Sequence, residues 1–178
     1  KNIRKILIAN RGEIAIRIMK TCRTMGIRTV AVFSDADSKS PYLAHADETY
    51  HIGASPARES YLNHDKILKV ARDSGADAIH PGYGFLSENP LFVEAVESAG
   101  FRFIGPSAKS IRQLGDKTSA RAIAQQIGVP VVPGTIQSIS SAGEAMDVVK
   151  SIGFPVLLKA AAGGGGKGMR VVRAEGDL

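Results

Sequence analysis

Two hydrophobic rhythms alternate through the first part of the chain. Short apolar runs read as buried strands over Lys5–Ala9, Ile27–Phe33, Ala76–His80 and Phe101–Ile104, with a weaker one over Glu48–Ile52. Between them, apolar residues recur at helical spacing over Glu13–Met25, Asp65–Ser74 and Asn89–Ala99. The second helix turns Ile67, Leu68, Val70 and Ala71 inward, and the third turns Leu91, Phe92, Val93, Ala95 and Val96. A glycine follows each helix (Gly26, Gly75 and Gly100), where a positive φ costs little. Strand–helix–strand units joined by short turns predict an α/β fold, a parallel sheet with helices on both faces.

The rhythm then changes. Ser107–Leu114 and Asp116–Ile127 read as consecutive helices with no strand between them. Gly128, Pro130 and Pro133-Gly134 break the pattern, which places a boundary near residue 130. Ser141-x-x-Glu144 is a capping box opening a helix to about Ser151. A strand over Pro155–Ala160, a glycine loop over Gly163–Gly168 and a strand over Met169–Arg173 complete the chain. A hairpin alone is marginal in water, so a domain beginning near residue 131 is expected to be cut off. Lys1 stands where an initiator Met would, so residues upstream are expected too.

The glycine loop is the first candidate for chemistry. The run Lys159-Ala-Ala-Ala-Gly163-Gly164-Gly165-Gly166-Lys167-Gly168-Met169-Arg170 is costly to order. It is either a flexible linker or a lid whose N–H groups close on phosphate oxygens, and the strand patterns flanking it favour the lid. Lys159 ends an apolar strand, where an unpaired buried ammonium would be expensive and an anionic phosphate would pair it. The run is not a Walker A loop, because Ala161 and Gly168 stand where that motif needs glycine and Ser or Thr. Lys117, just after Asp116 at a helix start, is a second candidate phosphate ligand; a solvated lysine would also fit there.

Two turns stand out as candidate ligand loops. Ala9-Asn10-Arg11-Gly12-Glu13 follows the first strand where a dinucleotide site carries three glycines; one is present, which argues against NAD although Asp35 stands where a ribose-binding acid would. His80-Pro-Gly82-Tyr83-Gly84-Phe-Leu-Ser87-Glu88-Asn89 follows the fourth strand, at the sheet edge where open parallel sheets bind ligands. It either aims Tyr83 outward as a functional loop or is a plain turn with Ser87 or Asn89 capping the next helix. His80 reads as a satisfied strand-end histidine rather than a ligand.

Composition narrows the classes. Of 178 residues, 44% are hydrophobic and 22% charged, which predicts a soluble globular chain with no membrane span and no secretory signal. The lone cysteine, Cys22, excludes an internal disulfide, and the scattered histidines offer no metal cluster. The net charge of +6 would suit acidic small substrates or nucleic acid, but no RNA-binding aromatic signature or helix-turn-helix spacing supports the latter. Arg17, Lys20 and Arg23 form one basic helical stripe, read first as a solvated face.

Taken together and in order, Ile8–Ala15, His80–Asn89, Phe103-Ile-Gly-Pro106, Gly115-Asp-Lys117 and Gly163–Arg170 resemble the biotin carboxylase component or domain of the biotin-dependent carboxylases. The resemblance covers essentially the whole chain. It implies a Rossmann-like N-terminal domain over residues 1–106 that binds no dinucleotide, a helical linker over 107–130, and an incomplete ATP-grasp lid over 131–178. It implies that Lys117, Lys159, Gly163, Gly164, Gly165, Gly166, Lys167, Gly168 and Met169 bind ATP. Lys167 stands where some members carry arginine. Tyr83, Gly84 and Glu88 are expected to face biotin and bicarbonate. Catalytic residues and the carboxylates that hold magnesium or manganese are expected beyond Leu178, so the chain alone is expected to be inactive. Partners would be a biotin carboxyl carrier protein or domain, a carboxyltransferase, and a second copy through the Arg17 helix and missing C-terminal parts. The compartment would be the cytoplasm, or the mitochondrial matrix in a eukaryote. Two other readings stay open: an ATP-grasp ligase of the carbamoyl-phosphate-forming kind, and a non-catalytic binding or dimerisation module.

Overall fold

The computed structural model describes residues 2–115, 117–135, 138–160 and 168–177, with the backbone only at 117 and 118. The chain forms two compact units, residues 1–112 and 113–178.

The first unit is a five-stranded sheet with every pairing parallel, in the order β3-β2-β1-β4-β5. Its strands are β1 (Lys5–Ile8), β2 (Arg28–Ser34), β3 (Glu48–Gly53), β4 (Ala78–His80) and β5 (Arg102–Phe103). Its helices are α1 (Gly12–Thr24), α2 (His64–Ser74) and α3 (Pro90–Ser98). The pleat divides β1 between the two sheet faces. Leu7 and Ala9 join Ile67, Val70 and Ala71 of α2 and Phe92 and Val96 of α3 in one core. Ile6 and Ile8 join Ala15, Ile18, Met19 and Cys22 of α1 in the other. A strand buried on both sides must be apolar throughout, which is why β1 reads as a continuous run rather than an alternation.

The connection from β2 to β3 holds no α-helix. Two short 3-10 turns, Asp35–Asp37 and Pro41–His45, carry the chain across, and the second buries Tyr42 in the core beneath α1. Leu91 is exposed rather than inward: Asn89 caps α3 and Pro90 opens it, and from that start Phe92, Val93 and Val96 take the buried face. The capping role at this turn falls to Asn89, whose side chain accepts from the Leu91 and Phe92 N–H groups at 3.0 and 3.1 Å.

The helix α4 (Ala108–Gly115) carries the division between the units. Beyond it come α5 (Lys117–Gln126), α6 (Ala142–Ile152), and an antiparallel pair, β6 (Val156–Lys159) and β7 (Met169–Val172). Ser141 caps α6 as expected, accepting from the Glu144 N–H at 3.2 Å. The Glu144 carboxylate reaches back to the Ser140 N–H at 2.8 Å, one residue earlier than a strict capping box requires. Hydrogen bonds from the Ser140 backbone and hydroxyl hold that carboxyl below its ordinary range.

Candidate functional site

Strands β1 and β4 are neighbours at the point where strand order reverses, and the chain leaves them into helices on opposite faces. A crevice at the carboxyl edge is the usual consequence. Both turns singled out in the sequence stand here, and one buried side chain joins them. Asn10, 4% exposed, donates from Nδ2 to the Pro81 carbonyl at 2.7 Å and the Tyr83 carbonyl at 2.8 Å. Its Oδ1 accepts from the Arg11 N–H at 2.9 Å. Gly82, at φ +67°, passes so close that a Cβ there would stand 2.7 Å from Asn10 Nδ2. His80 is satisfied, its Nδ1 accepting from the Gly82 N–H at 3.0 Å, and burial, then the charge of Arg17, lowers its pKa.

The loop thus held projects Tyr83, which is 61% exposed. Its hydroxyl donates to the Glu13 carboxylate at the start of α1, and that bond raises the phenol pKa. Phe85 takes a positive φ of 39°, and its ring stacks on Tyr61 at a centroid distance of 5.0 Å. Leu86 is buried behind it, while Gly84 and Glu88 are exposed.

Tyr61 belongs to a polar network absent from the sequence reading. Asp37 is buried and accepts from Arg11 Nε at 2.7 Å and the Tyr61 hydroxyl at 2.5 Å. Ser34 and Ser40 hydroxyls add bonds at 3.2 Å each. Burial alone would raise the Asp37 carboxyl; the bonds from Arg11 and Tyr61 and the charge of Arg11 outweigh it and hold the group low. The acid marked in the sequence, Asp35, is instead exposed and pairs with His51 Nε2 at 2.6 Å. The available signal was the second carboxylate two residues on, together with tyrosines in an otherwise polar stretch.

In the second unit the strand register places Lys159 opposite Met169 and Leu157 opposite Val171. Residues paired across a ladder share a face, so these four side chains line one side of the hairpin. Leu157, Met169 and Val171 are 45%, 49% and 52% exposed, and Lys159 is exposed at the loop end of the strip. That exposure corrects the argument from buried charge: Lys159 stands in the open in this structure, and no desolvation cost demands a partner. The Ala160 N–H donates to the Gly168 carbonyl at 2.8 Å, and Gly168, at φ +73°, leaves room for Ala160 where a Cβ would come within 2.9 Å of it. Gly163, Gly164, Gly165, Gly166, Lys167 and the proposed cap Asp116 lie outside the described residues. Lys117 opens α5, and its side chain is likewise outside them.

Comparison with known proteins places both units. Residues 2–111 match the biotin carboxylase N-terminal domain, and residues 116–178 match the ATP-binding domain of the carbamoyl-phosphate synthase L chain. The biotin carboxylase of Halalkalibacterium halodurans is 51% identical over 98% of this chain and 39% of its own length. The solved Campylobacter jejuni biotin carboxylase, crystallised as a β,γ-ATP complex, superposes with a TM-score of 0.94 at 49% identity, over 99% of this chain and 40% of that one. The biotin carboxylase domain dimer of Hydrogenobacter thermophilus 2-oxoglutarate carboxylase, solved with MgADP, ADP and bicarbonate, gives 0.91 at 45% identity, over 99% and 39%. The chain therefore spans about two fifths of the length of these relatives. With the N-terminal domain matched over more than half of its residues, and relatives about half identical along nearly all of it, this chain belongs to the biotin carboxylase family.

Proposed function

We propose that the chain is the N-terminal part of an enzyme that uses ATP and bicarbonate to carboxylate biotin on a carrier protein or domain, in company with a carboxyltransferase. The observation that carries this reading is the hairpin face: an apolar strip of Leu157, Met169 and Val171, with Lys159 at the end that precedes the glycine run in sequence. Such a strip suits a nucleotide base, and the cation at its end suits the phosphates.

In this reading residues 1–106 form the N-terminal domain, 107–130 the linker and 131–178 part of the nucleotide-binding lid. The γ-phosphoryl group of ATP passes to a bicarbonate oxygen, breaking its bond to the β-phosphate oxygen and releasing ADP. The carboxyphosphate formed breaks down to carbon dioxide and phosphate. The deprotonated ureido nitrogen of biotin then attacks the carbon dioxide. Lys159 and Lys117 offset phosphate charge as it moves, and Gly163–Gly168 closes to keep water from carboxyphosphate. Met169 packs on the nucleotide, and Tyr83, Gly84 and Glu88 face biotin and bicarbonate. Magnesium or manganese, when bound, neutralises further phosphate charge. Among the described residues no group of three or more His, Cys, Asp or Glu converges to hold it, so no step is assigned through it. No helix among the described residues is long and apolar enough to cross a membrane.

The test is transfer of labelled bicarbonate carbon to free biotin by the full-length protein that carries this sequence. ATP-dependent labelling of biotin is expected there, and none from the 178-residue chain alone. ADP release with no label in biotin would move the reading to another ATP-dependent ligase.

A further inference from the structure

We propose that Asn10 is a positioning residue for the loop that carries Tyr83 and Gly84, setting where those two residues stand. The proposal rests on the reading of Tyr83 and Gly84 as substrate-facing. The stretch from Pro81 to Phe85 lies past the end of β4, whose last ladder pairing ends at His80. Pro81 has no N–H to donate, and the Gly82 N–H is taken by His80. The backbone also turns through positive φ at Gly82, Gly84 and Phe85, so no regular pairing fixes it. Side chains hold it instead: His80 at Gly82, Glu13 at the Tyr83 hydroxyl, Tyr61 at the Phe85 ring, and Asn10 at the backbone carbonyls. Both Nδ2 hydrogens of Asn10 are used, one on each of the Pro81 and Tyr83 carbonyls. The Arg11 N–H donates to Oδ1 and so fixes which end of the amide faces the loop. Asn10 is buried, so it acts through the loop rather than by touching a ligand.

The residue type follows from this geometry. Aspartate has Asn's shape but no N–H, and would set a carboxylate against two carbonyl oxygens. Alanine removes the hold without adding charge. A Cβ at Gly82 would press on the same amide.

The test is steady-state kinetics of the full-length protein and its Asn10→Ala, Asn10→Asp and Gly82→Ala variants, with free biotin and ATP varied separately. For Asn10→Ala, the KM for biotin rises about tenfold to a hundredfold, the scale of a small misplacement transmitted from outside the site, while the KM for ATP stays within about twofold. Asn10→Asp and Gly82→Ala follow the same split where they fold, and Asn10→Ala keeps the test alive where they do not. Unaltered protein indifferent to biotin would sink the substrate reading and the proposal with it. A biotin-dependent protein whose Asn10→Ala variant keeps its biotin KM, or loses biotin and ATP in equal proportion, would overturn the proposal alone.

Discussion

Asp37 shows how much a single buried carboxylate can organise. It gathers Arg11, Tyr61, Ser34 and Ser40 around one side chain, and through Tyr61 it steadies the ring of Phe85. Replacing it by asparagine keeps the shape and removes the charge. Because the Arg11 side chain remains half exposed, water can take up part of the loss, and about 2–3 kcal/mol of stability should go, read as a lower urea midpoint. The same carboxyl makes the first unit acid-sensitive. Its folded pKa lies below the ordinary value of 3.8, so as the pH falls the unfolded chain takes up the proton first. The stabilisation is whole above the unfolded value and is lost as the pH falls through the folded one. Urea midpoints between about pH 6 and pH 3 should therefore drop more steeply in the unaltered protein than in Asp37→Asn. Equal slopes would show that Asp37 is not held low. This network was not legible in the sequence, because nothing in a run of Asp, Ser and Tyr says which hydroxyl will be turned inward across a chain crossing.

At the scale of elements, the strands and helices of the first unit were legible because each had a period to read and a stop to end it. Where a second force competed, the reading slipped. Leu91 fits the apolar pattern of α3, yet the helix start set by Asn89 and Pro90 turns it to solvent. Asn89→Ala leaves two N–H groups of the first turn without that acceptor and should cost about 1 kcal/mol, measured by urea titration, with hydrogen exchange quickening first in α3. No loss of stability would mean that Pro90 alone sets the helix start. The two strands of the hairpin were legible, but its chemistry was misjudged in one respect. An apolar run ending in lysine suggested a buried cation, whereas a two-stranded ribbon leaves one face open, and the register puts Lys159 on it.

At the scale of the molecule, the two turns near Asn10 and Tyr83 stand 71 and 73 residues apart in sequence across the Asn10 contacts, and only the strand order brings them together. In that order β4 lies beside β1 rather than beside β3, the strand that precedes it in sequence. A pattern of strands and helices predicts a parallel sheet but does not number its strands, so the meeting of these turns became visible only in the fold. The proposed phosphate chemistry belongs to the other unit, where Lys159 ends β6 a few residues before the glycine run in sequence. The most direct measurement is ADP release by the full-length protein, with and without bicarbonate and free biotin, beside a Lys159→Ala variant. Release that requires bicarbonate, rises with biotin and falls by about a hundredfold or more in the variant is the predicted result. Release that ignores bicarbonate and biotin, or that Lys159→Ala leaves intact, would contradict it.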